Sequence, residues 1–148
     1  MDAAEDERQL HAGQTLRPFV RATGPEVWNR FAAVNDEFVD IHMDDDAGRA
    51  AGFPGAIGMG NLQVAYLHNF LRSILPAGGR IARVSCRFRQ PNLKGQSVRA
   101  GGRVSAVRAI ETGRQVDLDV WVKTDSGAVL CSGEATVVVP DRSEGACL

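Results

Sequence analysis

The chain has 148 residues, and its 17 lysines and arginines nearly offset 18 aspartates and glutamates, leaving a formal charge of −1. That length suits one domain with its own core, and the balanced charge argues against nucleic acid or an anionic membrane as partner. Cys86, Cys131 and Cys147 form an odd set with no close pair in the sequence, which suggests neither a disulfide framework nor a zinc knuckle.

The opening MDAAEDERQL is acidic and lacks a basic n-region or an apolar stretch, so a secretory signal is not expected there. No apolar run approaches the ~20 residues of a membrane helix. A cytoplasmic protein is expected, with flexible ends over 1–12 and 141–148 around a single domain spanning 13–140.

In chain order, LRPFVRAT (16–23) can form a first strand. Thr23 then suits a helix N-cap, with Pro25 at an early helical position and Glu26 in the first turn. Val27, Phe31 and Val34 recur at helical spacing, so 25–34 reads as a short helix followed by an acidic loop. DDDAGRAAG (44–52) can add a helical turn capped by one of its aspartates, and FPGAIGMG (53–60) is too rich in glycine to be regular. NLQVAYLHNFLRSIL (61–75) is the longest helical pattern, with Leu62, Ala65, Tyr66, Asn69, Phe70 and Ser73 on one broad face. It is apolar nearly all round, as a buried central helix would be, and Pro76 with Gly78-Gly79 ends it. From there the period becomes two: 80–90, 97–110, 114–124 and 128–139 read as four strands in an antiparallel meander. The class is α+β, an antiparallel sheet with one long helix packed on one face.

Two places could carry chemistry. NDEFVDIHMD (35–44) crowds Asp36, Glu37, Asp40 and Asp44 around His42. Histidine titrates near neutrality, and a carboxylate beside it can hold or share its proton. Such a loop can equally be solvated, with His42 packed against a neighbour. GAIGMGN (55–61) lets the backbone approach a ligand closely just where the first helical amides lack partners, so it could polarise a carbonyl. A tight turn needing glycine for steric reasons is the alternative. No Gly-Lys-Ser/Thr follows and no strand precedes, so neither a phosphate loop nor a dinucleotide fingerprint is present.

The order of these features is more specific than any one of them. EFVDIHMD (37–44), IGMGNL (57–62) and FRQPNLKGQ (88–96) follow one another in the pattern of the MaoC-like, hot-dog-fold (R)-specific enoyl-CoA hydratase and dehydratase family, which residues 14–139 resemble. Three positions depart from that pattern. The family's catalytic aspartate falls on Glu37, with Asp36 beside it as an alternative acid. Its Asn-Pro is Val39-Asp40, and its histidine before the helix glycine is Met59. The form without Asn-Pro is similar to that of steroid side-chain hydratase subunits that work as heteromers.

The resemblance implies a hot-dog fold, an antiparallel sheet wrapped around the central helix, with ligand sites at a dimer seam. It implies a hydro-lyase that adds water to a trans-2-enoyl thioester, or dehydrates a 3-hydroxyacyl thioester, with Glu37 and His42 as the acid/base pair. The Gly60 N–H, helped by Asn61, would bind the thioester oxygen, and the acyl chain would pass Met59, Leu62 and Tyr66. No cofactor beyond the coenzyme A or carrier-protein thioester of the substrate is implied, and no metal, for which ligand spacing is also absent. Arg83, Arg87 and Arg89 either meet coenzyme A phosphates or face solvent. A homodimer is expected, or a heterodimer with a homologous hot-dog subunit. A non-catalytic subunit of a heteromeric hydratase and an acyl-CoA thioesterase are the alternatives. The thioesterase is disfavoured because such enzymes commonly carry a carboxylate on the central helix, and 61–75 contains none.

Overall fold

The computed structural model describes residues 9–141. The order of elements is β1 (Phe19–Ala22), α1 (Pro25–Asn35), α2 (Asp40–Met43), α3 (Asp45–Ala50), α4 (Gly60–Ile74), β2 (Arg80–Phe88), β3 (Ser97–Ile110), β4 (Gly113–Thr124) and β5 (Val129–Pro140). The expected α+β architecture is present: five antiparallel strands form one sheet, and α4 packs against it.

The strands are not a simple meander. They run in the order β1-β3-β4-β5-β2. Tight turns make β3, β4 and β5 sequential neighbours, whereas the longer 89–96 connection carries the chain across the sheet. It leaves β2 paired with β5 at the far edge rather than with β3. On the way, 89–96 passes the turn that precedes α4, where the Gly58 N–H donates to the Asn92 carbonyl.

On β3 and β4 the alternation read from the sequence separates the two faces. Val98, Ala100, Val104, Val116, Leu118, Val120 and Val122 are almost fully buried, while Arg99, Arg103 and Asp119 face outward. Full burial of one such valine or leucine contributes about 1.5–3 kcal/mol. Opposite them, α4 buries Leu62, Gln63, Tyr66, Leu67, Phe70 and Leu71. This face is rotated from the expected one, with Asn69 and Ser73 exposed, because two adjacent i, i+4 rows (62/66/70 and 63/67/71) meet the sheet together. Val34, expected on the apolar face of α1, is 84% exposed; Trp28 and Ala32 are the residues that α1 buries.

Helix ends follow local chemistry in part. Pro25 opens α1, and the Asp44 side chain caps α3 by accepting from the Ala47 N–H at 2.8 Å. Thr23, expected to cap α1, does not, since its hydroxyl is engaged by Trp28 and Asn92. The segment expected to be wholly loop contains one helical turn, α2, with the Asp44 N–H on the Asp40 carbonyl.

Leu10 and Leu16 are buried, and the Gly13 N–H donates to the Val104 carbonyl at 2.8 Å. The fold brings Cys86 beside Cys131, both free, although they are remote in sequence. Burial pushes the Cys131 thiol up to about 12, with Cys86 adding to the effect. Cys147 and the outer parts of both predicted flexible ends lie outside the described residues. No helix among the described residues is long and apolar enough to cross a membrane.

Candidate active site

The acid reaches the mouth of α4, and the imidazole the turn just before it, by separate routes. Helix α1 closes on Asp36, which takes the left-handed conformation at φ 53°, tolerated by aspartate better than by most residues. The N–H groups of Asp36 and Glu37 both fall on the Ala32 carbonyl. This turns the chain so that the Glu37 carboxylate meets the Asn61 side chain, whose Nδ2 donates to its two oxygens at 3.3 and 3.4 Å. Asp36 is exposed and forms the turn; Glu37 is the one of the two that touches α4.

His42 lies in α2, with its backbone N–H on the Val39 carbonyl at 2.9 Å. Its ring Nδ1 is 2.8 Å from the Ile57 carbonyl oxygen. A carbonyl can only accept, so Nδ1 carries a proton and Nε2 is the ring nitrogen left for exchange. Glu37 and His42 are thereby tied to residues 61 and 57 of one short segment.

That segment is fixed from several sides. The Ala56 N–H donates to Asp45 Oδ1 at 2.9 Å, the Ile57 N–H to the Ile41 carbonyl at 3.0 Å and the Gly58 N–H to the Asn92 carbonyl at 2.8 Å. Asp45 also accepts from Lys94 Nζ at 2.5 Å. The lysine hydrogen bond, then the Ala56 amide, hold the Asp45 carboxyl below its usual 3.8.

Behind the turn lies a buried polar relay. Asn92 is 2% exposed; its Oδ1 accepts from the Thr23 hydroxyl at 2.7 Å and its Nδ2 donates to Gln96 Oε1 at 3.1 Å. Trp28 Nε1 donates to the same Thr23 hydroxyl at 2.9 Å. A Cβ on Gly58 would stand 2.9 Å from both Asn92 Oδ1 and Trp28 Nε1, so glycine is required there by close approach. Thr23, Trp28, Asp45, Asn92, Lys94 and Gln96 therefore support the site, although they were not among the expected site residues. The PNLKGQ stretch was the sequence signal for Asn92, Lys94 and Gln96; of these Asn92 and Gln96 turn inward while Lys94 stays exposed.

Beyond Gly58 the pattern changes. Helix α4 begins at Gly60 after Met59, with no side-chain cap and no acidic residue in its first turn. Its first amides have no partner within the helix and stand at the positive end of the helix dipole. A Cβ on Gly60 would lie 3.0 Å from the Phe88 ring, which is 54% exposed. Around this mouth Phe38, Val39 and Met43 are exposed too, giving it an apolar rim.

The other expected contacts are less open. Met59, Leu62 and Tyr66 belong to the hydrophobic core, at 0, 6 and 4% exposure. Burial pushes the Tyr66 phenol up. Arg83, Arg87 and Arg89 are exposed. An open groove of about 760 Å³, lined by His68, Arg72, Arg80 and Arg83 among others, runs along the C-terminal half of α4 and includes neither His42 nor Glu37 nor Gly60.

Comparison with known proteins adds relatives in sequence and in fold. The family model of the MaoC-like domain matches residues 4–126. The (R)-specific enoyl-CoA hydratase of Aeromonas caviae is 31% identical over 134 residues, covering 90% of this chain and 98% of that protein. The solved (R)-hydratase from A. caviae involved in PHA biosynthesis superposes with a TM-score of 0.79 at 26% identity, over 88% of this chain and 98% of that one. A chain of the ChsH1–ChsH2 complex from Mycobacterium tuberculosis has the same fold, with a TM-score of 0.78 at 17% identity over 88% of this chain and 99% of that one. The fold is the hot-dog fold, and the chain belongs to the MaoC-like domain family.

Proposed function

We propose that the protein is an (R)-specific enoyl thioester hydratase, acting in the hydration direction or its reverse. The observation that carries this reading is the tethering of Glu37 and His42 to residues 61 and 57, on either side of an uncapped helix mouth. The similarity to the Aeromonas caviae hydratase supports the same chemistry.

In this mechanism the thioester oxygen accepts a hydrogen bond from the Gly60 N–H. Negative charge grows on that oxygen as water attacks C3, and one well-placed donor is worth about 3 kcal/mol at such a position. Glu37 and His42 hold the water between them. One takes a proton from it as the C3–O bond forms; that proton passes across the pair and the other delivers it to C2, so H and OH add across the double bond and both groups return to their starting forms. The Ile57 carbonyl fixes the imidazole so that Nε2 is the atom available for this exchange. The carrier is coenzyme A or a carrier protein, and the acyl group enters over the apolar rim.

A partner chain fits the same observations. Phe38, Val39, Met43 and Phe88 leave the mouth open on one side, and among the described residues β2 is a sheet edge with no further strand beside it. A second copy, or a homologous hot-dog subunit, would close it; the two-component complex among the fold neighbours gives a precedent for the second arrangement. In that arrangement this chain either carries the chemistry or shapes the pocket of its partner.

The test is loss of the conjugated enoyl absorbance with crotonyl-CoA and with longer or steroidal enoyl-CoA substrates. His42→Ala should lower the rate by about 10²- to 10⁴-fold with unchanged circular dichroism, the usual worth of a general acid or base. Undiminished turnover in that variant would remove the mechanism. Activity appearing only on co-expression with a homologue would assign the chain to a heteromer.

A further inference from the structure

Asn61 was expected to assist Gly60 at the thioester oxygen, but its amide is directed elsewhere. Nδ2 stands 3.3 and 3.4 Å from the two oxygens of Glu37, a chelating approach to one carboxylate. The opposite amide orientation would put oxygen against oxygen, so only the donor end can face the acid. Asn61 is the second residue of α4, and Glu37 is the first residue after the left-handed closure of α1. The contact therefore joins the ends of two helices whose backbones are separately fixed.

We propose that Asn61 is a positioning residue for Glu37, holding the longer acid at the mouth of α4, and that the two side chains are matched in length. The inference rests on the reading of Glu37 as the acid of the pair. It follows from reach: glutamate has one methylene more than aspartate, and asparagine one fewer than glutamine. Shortening the acid by Glu37→Asp while lengthening the amide by Asn61→Gln therefore leaves the total span across the gap unchanged. The titratable residues nearest Glu37 in the sequence, Asp36, Asp40 and His42, belong to its own segment, and the first turn of α4 brings no charged side chain. Asn61 is thus the contact that can steady the carboxylate from the helix side.

The experiment is a double-substitution cycle read in two ways. Asn61→Ala should lower kcat about tenfold with KM within about twofold, as expected when a catalytic group is misplaced rather than substrate binding lost. Glu37→Asp alone should lose on the order of 10²-fold, and adding Asn61→Gln should recover at least about tenfold of that loss. Independently of turnover, a crystal structure of Asn61→Ala should show the Glu37 carboxylate displaced from the mouth of α4, because the amide that holds it there has gone. If the carboxylate keeps its place, or if the two substitutions simply multiply in kcat, the proposal is overturned. A wild-type protein inert on every enoyl thioester would defeat the proposed function, while the position of the Glu37 carboxylate in that structure would still decide whether Asn61 holds it.

Discussion

The turn Ala56–Gly58 and the helix mouth Met59–Asn61 are contiguous, yet they are built in opposite ways. Each amide of the first has a partner drawn from a different element: Asp45, Ile41 or Asn92. The second has no side-chain cap, and its glycine faces an exposed aromatic ring rather than a buried network. The difference separates two uses of glycine that look alike in the sequence. Gly58 is there so that the support can close, and Gly60 so that the mouth can stay accessible.

Substitution at the two glycines should expose that contrast. Gly58→Ala should have the largest effect on the fold, about 2–3 kcal/mol by denaturant midpoint, the usual range for overpacking a rigid site. Its new methyl meets Asn92 and Trp28, whose polar atoms are already committed. Gly60→Ala should change stability by less than about 1 kcal/mol, since alanine favours a helix by about that much and the exposed Phe88 ring can shift. Its cost should fall on hydration, by about ten- to a hundredfold, if the Gly60 amide is an oxyanion donor. Equal stability losses in both variants, or full activity in Gly60→Ala, would erase the distinction.

Much of this arrangement was legible because it is local. Pro25, the aspartate cap of α3, the glycine-rich turn and the period-two strands all act within a few residues, and their boundaries fall close to those observed. What was not legible depends on pairing across the chain. Thr23 looks like a helix cap until Asn92, 69 positions away, claims its hydroxyl. The place of β2 at the sheet edge, the rotation of α4 and the proximity of Cys86 to Cys131 likewise arise from tertiary packing. In the candidate site, the acidic stretch around His42 and the glycine turn stood out by chemistry, and Glu37 and Gly60 through the family resemblance, whereas Asn61's role depends on which way its amide points.

A smaller effect should appear in acid. The Asp45 carboxyl titrates below its usual 3.8 in the folded protein, so its contribution to stability is complete above that value and is lost as pH falls through the lower folded value. Asp45→Asn should therefore be less stable than the parent at neutral pH, with the gap narrowing below 3.8 in thermal melts at stepped pH. A gap independent of pH would mean that the Lys94 and Ala56 contacts act through shape alone.

The most direct measurement is a structure with an unreactive enoyl or 3-hydroxyacyl thioester analogue bound. The thioester oxygen should lie about 2.7–3.1 Å from the Gly60 nitrogen, with C3 facing the gap between His42 and Glu37. A thioester seated elsewhere, with its oxygen away from the start of α4, would contradict the account.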